Sequence, residues 1–148
     1  MKKKLKIAAV AAAVLVLLLA PSVLKGSIRW AKALETEDIA KLELVVMPSA
    51  ENERYRLFEP EEYAEPVKLI NGSRGIYTLF PIPKSGNAHA LYVTTTDGTR
   101  HCVVNSYSGY LTIDGDTYYY PHFERVWDWI KDHELDLGNS VMPEGFEY

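Results

Sequence analysis

The stretch GYLTIDGDTYYYP, Gly109 to Pro121, gathers more groups able to do chemistry than any other part of this chain. Asp114 and Asp116 flank Gly115, and two carboxylates so close together suggest a cation site. A calcium loop, however, needs further oxygen ligands at odd spacings and a closing bidentate glutamate, and none follows Asp116 at the right distance. A two-residue hairpin turn uses the same residues more simply, because its central positions need positive φ, which Asp tolerates and Gly permits. Asp97-Gly98 repeats the dipeptide between two equally strand-like runs. Both pairs are therefore read as turns, and no metal or cofactor is assigned.

The tyrosines around the turn are the stronger candidates for contact with another molecule. Alternation along a strand places Tyr118 and Tyr120 on one face and Tyr119 on the other. With Tyr110 on the adjacent strand, and Trp129 about one residue off the apolar stripe of the last helix, they form a candidate aromatic binding face for a glycan or peptide. The alternative is ordinary cross-strand pairing, with Tyr119 turned inward. His101 and Cys102 are sequence neighbours and point to opposite faces, so they cannot act on each other as base and nucleophile. Cys102 runs in an apolar series with Val104 and reads as a buried small hydrophobe. His89, His122 and His133 show no metal-ligand spacing. The chain has no Gly-x-Ser-x-Gly elbow, phosphate-cradling loop or paired-carboxylate motif, so no catalytic residue is named.

These residues need a sheet to position them. DIAKLELVVM alternates over its second half, with Leu42, Leu44 and Val46 on one side, and Arg54 to Phe58 fits another short strand. In EPEEYAEPVKLING, Pro60 suits a helix start, Tyr63, Val67 and Ile70 share a face, and Asn71-Gly72 is a stop. Pro66 interrupts it, which predicts a kink or a late start. GIYTLFPI, HALYVTTT and RHCVVNSY are β-rich and joined by short turns, the pattern of an antiparallel meander of about four to six strands. From Pro121, the positions Phe123, Val126, Trp127 and Ile130 give a final amphipathic helix. The fold class is α+β, an antiparallel sheet packed against one or two helices.

The first twenty residues, MKKKLKIAAVAAAVLVLLLA, set four lysines before fourteen apolar residues. This is an export leader with its lysines on the cytoplasmic side. Fourteen helical residues rise only about 21 Å, short of a hydrocarbon core of roughly 30 Å. Extension through Val23 and Leu24 reaches eighteen. A peptide cleaved after Ser22 and a retained anchor, held in the membrane through residues 5–24, both fit. Residues 1–22 are thus a signal peptide or anchor, 23–33 a linker, 34–137 one α+β domain and 138–148 a tail. Without the four leader lysines, 12 basic residues face 20 acidic ones, a balance of −8 for the exported part. That balance argues against nucleic acid as a partner. With one cysteine there is no intramolecular disulfide.

The segment from about Leu34 to Leu135 resembles the small uncharacterised exported or membrane-anchored domains of Gram-positive bacteria. The shared features are the lysine-led leader, a strand–helix unit ending in VKLING, a sheet carrying TTTDGTRHCVV and GYLTIDGDTYYY, and a terminal helix such as FERVWDWI. The resemblance implies location outside the cytoplasmic membrane and an α+β build, and it carries no functional residues over. The leading expectation is a non-enzymatic binding domain of the cell envelope, secreted or anchored, with a protein or glycan partner. Two alternatives stand beside it. One is a small hydrolase that assembles His101 or His89 with Asp116 only in the fold; the other is an inhibitor or immunity-type protein.

Overall fold

The computed structural model describes residues 2–47, 54–79, 88–106, 109–120, 129 and 132. Its N-terminal part is helical: α1 (Lys2–Leu19), α2 (Pro21–Leu24) and α3 (Gly26–Ala33). Pro21 does not end the apolar rod. Ala20 keeps right-handed helical dihedrals, and the Leu24 amide donates to the Ala20 carbonyl at 2.9 Å, so α2 continues the helical path. The helical span Lys4–Leu24 is therefore 21 residues, about 31 Å, and comprises the eighteen residues of the longer reading, Ile7 to Leu24, with Lys4 to Lys6 before them. It is long and apolar enough to cross a membrane, and it is equally compatible with a signal sequence. Extended backbone at Lys25, with ψ 142°, then turns the chain into α3.

The segment 23–33, expected to be a linker, is folded into the domain. Ile28 and Ala31 lie one turn apart on α3, both fully buried, and Leu34 continues the stripe with only 3% exposure. Ala and Ser at the contact positions let the helix approach the sheet closely, and a search for large apolar residues passes over such a face. After a 3-10 turn at Thr36–Asp38 the chain enters β1 (Ile39–Met47) and β2 (Arg54–Leu57). A second 3-10 turn at Pro60–Glu62 leads into α4 (Ala64–Asn71). The late start resolves the objection of Pro66: it sits at the third helical position, where an amide has no partner to lose.

The remaining strands are β3 (Ile76–Tyr77), β4 (Ala88–Thr95), β5 (Arg100–Ser106), β6 (Tyr110–Ile113) and β7 (Asp116–Tyr119). All pair antiparallel in one open sheet of order β2-β1-β4-β5-β6-β7-β3, so the described residues form an α+β fold of seven strands. Of the expected meander, HALYVTTT onward forms β4 to β7 in chain order. Of GIYTLFPI, read as its first strand, the described residues form only the two-residue β3, which pairs with β7 rather than with β4. It sits at the edge opposite β2, because α4 carries the chain between the two edges.

Alternation divides the sheet into two faces. Leu44, Leu91, Val103 and Ile113 join Ile28 and Leu34 of the N-terminal arm and Val67 and Ile70 of α4 in the main core. Val45, Tyr55, Ala90, Tyr92 and Val104 form a smaller cluster on the other face, with Cys102 partly buried against it. The Asp114-Gly115 turn has φ of 48° and 84°, the two positive values that a two-residue hairpin requires. Gly75 is needed for another reason: a Cβ there would lie 2.5 Å from the Tyr119 carbonyl oxygen, too close for β3 to pair with β7. The final helix and the tail lie outside the described residues, apart from helical Trp129 and Asp132.

Candidate functional site

The aromatic face is not where alternation alone would put it. Tyr118 and Tyr120 do share a face, but that face is the helix-covered one: Tyr118 is fully buried and Tyr120 is 6% exposed. The Tyr118 hydroxyl shares a 2.8 Å hydrogen bond with Ser27 of α3, and the Tyr120 hydroxyl donates to the Gly72 carbonyl at 3.3 Å. Trp129 is also buried, its ring 5.9 Å from that of Phe58. Three of the four expected contact residues are therefore core. The N-terminal arm covers Tyr118 through Ser27, while the end of α4 meets Tyr120 and Phe58 packs against Trp129. Tyr110 remains half-buried, edge-to-face with Tyr119 at 5.5 Å, and it is Tyr119 that faces outward at 44% exposure.

The carboxylates of the IDGD turn diverge. Asp114 turns back to β5, where Oδ2 accepts from His101 Nδ1 at 2.7 Å and Oδ1 accepts from the Cys102 amide at 2.9 Å. Asp116 reaches the N-terminal arm. Lys25 Nζ and Ser27 Oγ each donate to it at 2.7 Å, and the Lys25 ammonium also lies 4.3 Å from the Tyr77 ring centre. Burial alone would raise the Asp116 pKa, but the bonds from Lys25 and Ser27 and the lysine charge hold the carboxyl below its ordinary range. The same pair pushes the Lys25 ammonium up. Beside it, the Tyr77 amide donates to Ser22 Oγ at 2.8 Å, which ties the edge strand to α2. Three residues of the arm thus hold the end of the apolar rod against β3 and β7: Ser22, Lys25 and Ser27.

At the other end of α3 a cleft of about 380 Å³ opens between Trp30, Leu34, Asp38, the Thr95–Asp97 turn and His101. Trp30 stacks on the His101 ring with centroids 3.8 Å apart and planes 18° from parallel, while Asp114 fixes the imidazole from behind. The Asp97 carboxyl lies below its ordinary pKa because it accepts from the Thr95 hydroxyl and the Thr99 amide. The hydrolase pairing expected from sequence is corrected on both counts. His101 meets Asp114 rather than Asp116, and His89 is 2% exposed on the core face of β4. Among the described residues neither serine nor cysteine lines the cleft, and Cys102 faces the opposite side of the sheet. Chemically the cleft offers a flat aromatic wall, an imidazole, hydroxyls and two carboxylates on its rim.

Trp30, Lys25 and Ser27 were invisible to sequence reasoning because they lie in the supposed linker. Glu43 was missed for a different reason. Alternation marked it as outward, but it is 2% exposed, accepting from the Tyr55 hydroxyl at 2.7 Å and paired with Lys41 at 2.6 Å. Burial, then the Glu43 hydrogen bond and charge, push the Tyr55 hydroxyl pKa up. Among the described residues no group of three or more His, Cys, Asp or Glu side chains is placed to hold a metal ion. The chain matches no protein-family model, no curated protein and no solved structure.

Proposed function

We propose that this chain is an interaction domain displayed on the outer side of a cytoplasmic membrane and held there by its own uncleaved apolar helix. One observation carries the reading: the residues that a signal peptidase would have to process are part of the folded domain. Ser22 lies in helical α2 with 9% exposure and accepts the Tyr77 amide, and Lys25 and Ser27 beyond it grip Asp116. Charge supports the orientation. Lys2, Lys3, Lys4 and Lys6 precede the apolar residues Ile7–Leu24, against Lys25, Arg29 and Lys32 after them with Lys25 paired to Asp116, so the positive-inside rule favours a cytoplasmic N-terminus. Contact with a protein or glycan of the cell envelope falls to the cleft beside Trp30 and His101, because the tyrosines first suspected are mostly inside.

The test is the intact mass of the mature chain together with its fractionation. Retention predicts all 148 residues, less at most the initiating methionine, in a carbonate-resistant membrane fraction. A soluble chain beginning at residue 23 overturns it. A photoreactive residue at Thr96, on the cleft rim, should give discrete adducts that the same residue at Glu65 does not; identical adducts from both remove the cleft from the reading. The His101–Asp114 pair favours a second reading, a small hydrolase, since an oriented imidazole beside a cleft is a general-base geometry. That reading requires turnover of ester or peptide substrates that His101→Ala abolishes.

A further inference from the structure

The retained rod fixes how deep the sheet edge must sit. A helical stretch of 21 residues, Lys4–Leu24, rises about 31 Å and matches a hydrocarbon core of roughly 30 Å, so its last turn ends at the boundary with the headgroups. Ser22 is in that turn, and its hydroxyl holds the Tyr77 amide at 2.8 Å. With the rod close to the bilayer normal, the edge strand β3 therefore lies at headgroup level.

The side chains at that level are apolar and open. Val23 and Leu24 are 58% and 64% exposed at the end of the rod, and Ile76 and Leu79, on and just past β3, are 52% and 66% exposed. The ladder register sets Ile76 opposite Tyr119 and Tyr119 opposite Tyr110, so these three stand in a row across β3, β7 and β6, on the face away from the main core. Aliphatic side chains flanked by tyrosines are the composition of a membrane interface, where the ring is apolar and the hydroxyl wet. Of the basic groups at this edge, Lys25 lies over the Tyr77 ring and is paired with Asp116, while Arg74, two residues before Ile76, is exposed.

We propose that the β3 edge of the sheet, through Ile76 and Leu79 with Tyr119 and Tyr110 beside them, rests in the interfacial layer of the bilayer that the chain's own α1–α2 rod crosses. The occupant of this patch is lipid. The seat fixes the domain at three places, the rod, the edge strand and the tyrosine row, so the domain does not swing freely on its anchor. The inference rests on retention of the apolar helix, and the experiment separates the two.

The full-length chain carrying Cys102→Ala and a single cysteine in place of Leu79, Ile76 or Asp97 is labelled with an environment-sensitive fluorophore. It is then reconstituted into phosphatidylcholine–phosphatidylglycerol vesicles. Lipids bearing a shallow nitroxide should quench the label at 79 and 76 at least threefold more than at 97, and aqueous iodide should show the reverse order. Vesicle-floated protein whose labels at 79 and 97 respond alike overturns the seat and leaves the anchor standing. Protein that does not float with the vesicles overturns the membrane span on which the seat rests. Photolabelling of the unsubstituted chain by a diazirine phospholipid provides a second measurement that needs no variant: adducts on residues 76–79 as well as 4–24 support the seat, and adducts confined to 4–24 contradict it.

Discussion

Asp114 and Asp116 stand two residues apart on one turn, yet they hold different parts of the molecule. Asp114 closes a local circuit, reaching His101 and Cys102 on the strand that pairs with its own. Asp116 closes a circuit of about ninety residues, reaching Lys25 and Ser27 at the foot of the apolar rod. One residue type at nearly one place can thus support a cleft on one side and anchor the chain's first helices on the other. Local sterics explain why an acidic residue occupies the turn, since Asp114 has φ of 48°. They do not explain Asp116, whose role appears only with the arm in place.

If the arm belongs to the fold, damage on the Asp116 side must cost more than damage on the Asp114 side. The largest effect is expected from Ile28→Ala, which leaves a cavity where a fully buried side chain of α3 met the sheet. A loss of about 2–5 kcal/mol in denaturant unfolding of the detergent-solubilised chain is expected; a value within experimental error of zero would return the arm to a linker. Ser27→Ala comes next. Ser27 is 8% exposed and links Asp116 to the Tyr118 hydroxyl, so its removal strands a buried partner, at a cost of about 1–3 kcal/mol in the same assay.

Asp116→Asn sharpens the comparison through pH. The Asp116 carboxyl is held below its ordinary value, so its contribution is complete above about pH 4 and is lost as pH falls through the folded value. The melting temperature of the parent should therefore fall more steeply below about pH 4 than that of the variant; parallel curves would mean that Lys25 and Ser27 give the carboxylate nothing. Asp114→Asn should matter least, because Asn also tolerates positive φ and can still accept from the Cys102 amide. A cost below about 1 kcal/mol is expected, with the effect confined to the His101 and Trp30 resonances in NMR spectra.

Much of the sheet was legible in the sequence because its determinants are local. Alternation in KLELVV, the two Asp-Gly turns and the β-branched runs each act within a few residues, and the structure places strands and turns where they point. Pro66 likewise fixed the late start of α4. What sequence could not reveal is which face of the sheet is covered. That depends on α3, whose buried positions are Ser27, Ile28 and Ala31, a stripe too small and too mixed with Lys and Arg to register as a core helix. The error over Tyr118 follows from that omission and the error over Tyr120 from the end of α4 that meets its hydroxyl, for their shared face was read correctly and its environment was not. The His101–Asp114 pair was likewise hidden, because nothing in sequence says that a turn carboxylate folds back rather than out.

The central claim is that residues 22–34 are as much a part of the folded domain as the sheet, and amide hydrogen exchange on the full-length chain in micelles tests it most directly. The Leu34 amide, bonded to the Trp30 carbonyl, and the Tyr77 amide, bonded to Ser22, should exchange as slowly as the amides pairing β1 with β4. Exchange of Leu34 and Tyr77 at unprotected rates, with β1 and β4 still protected, would contradict it.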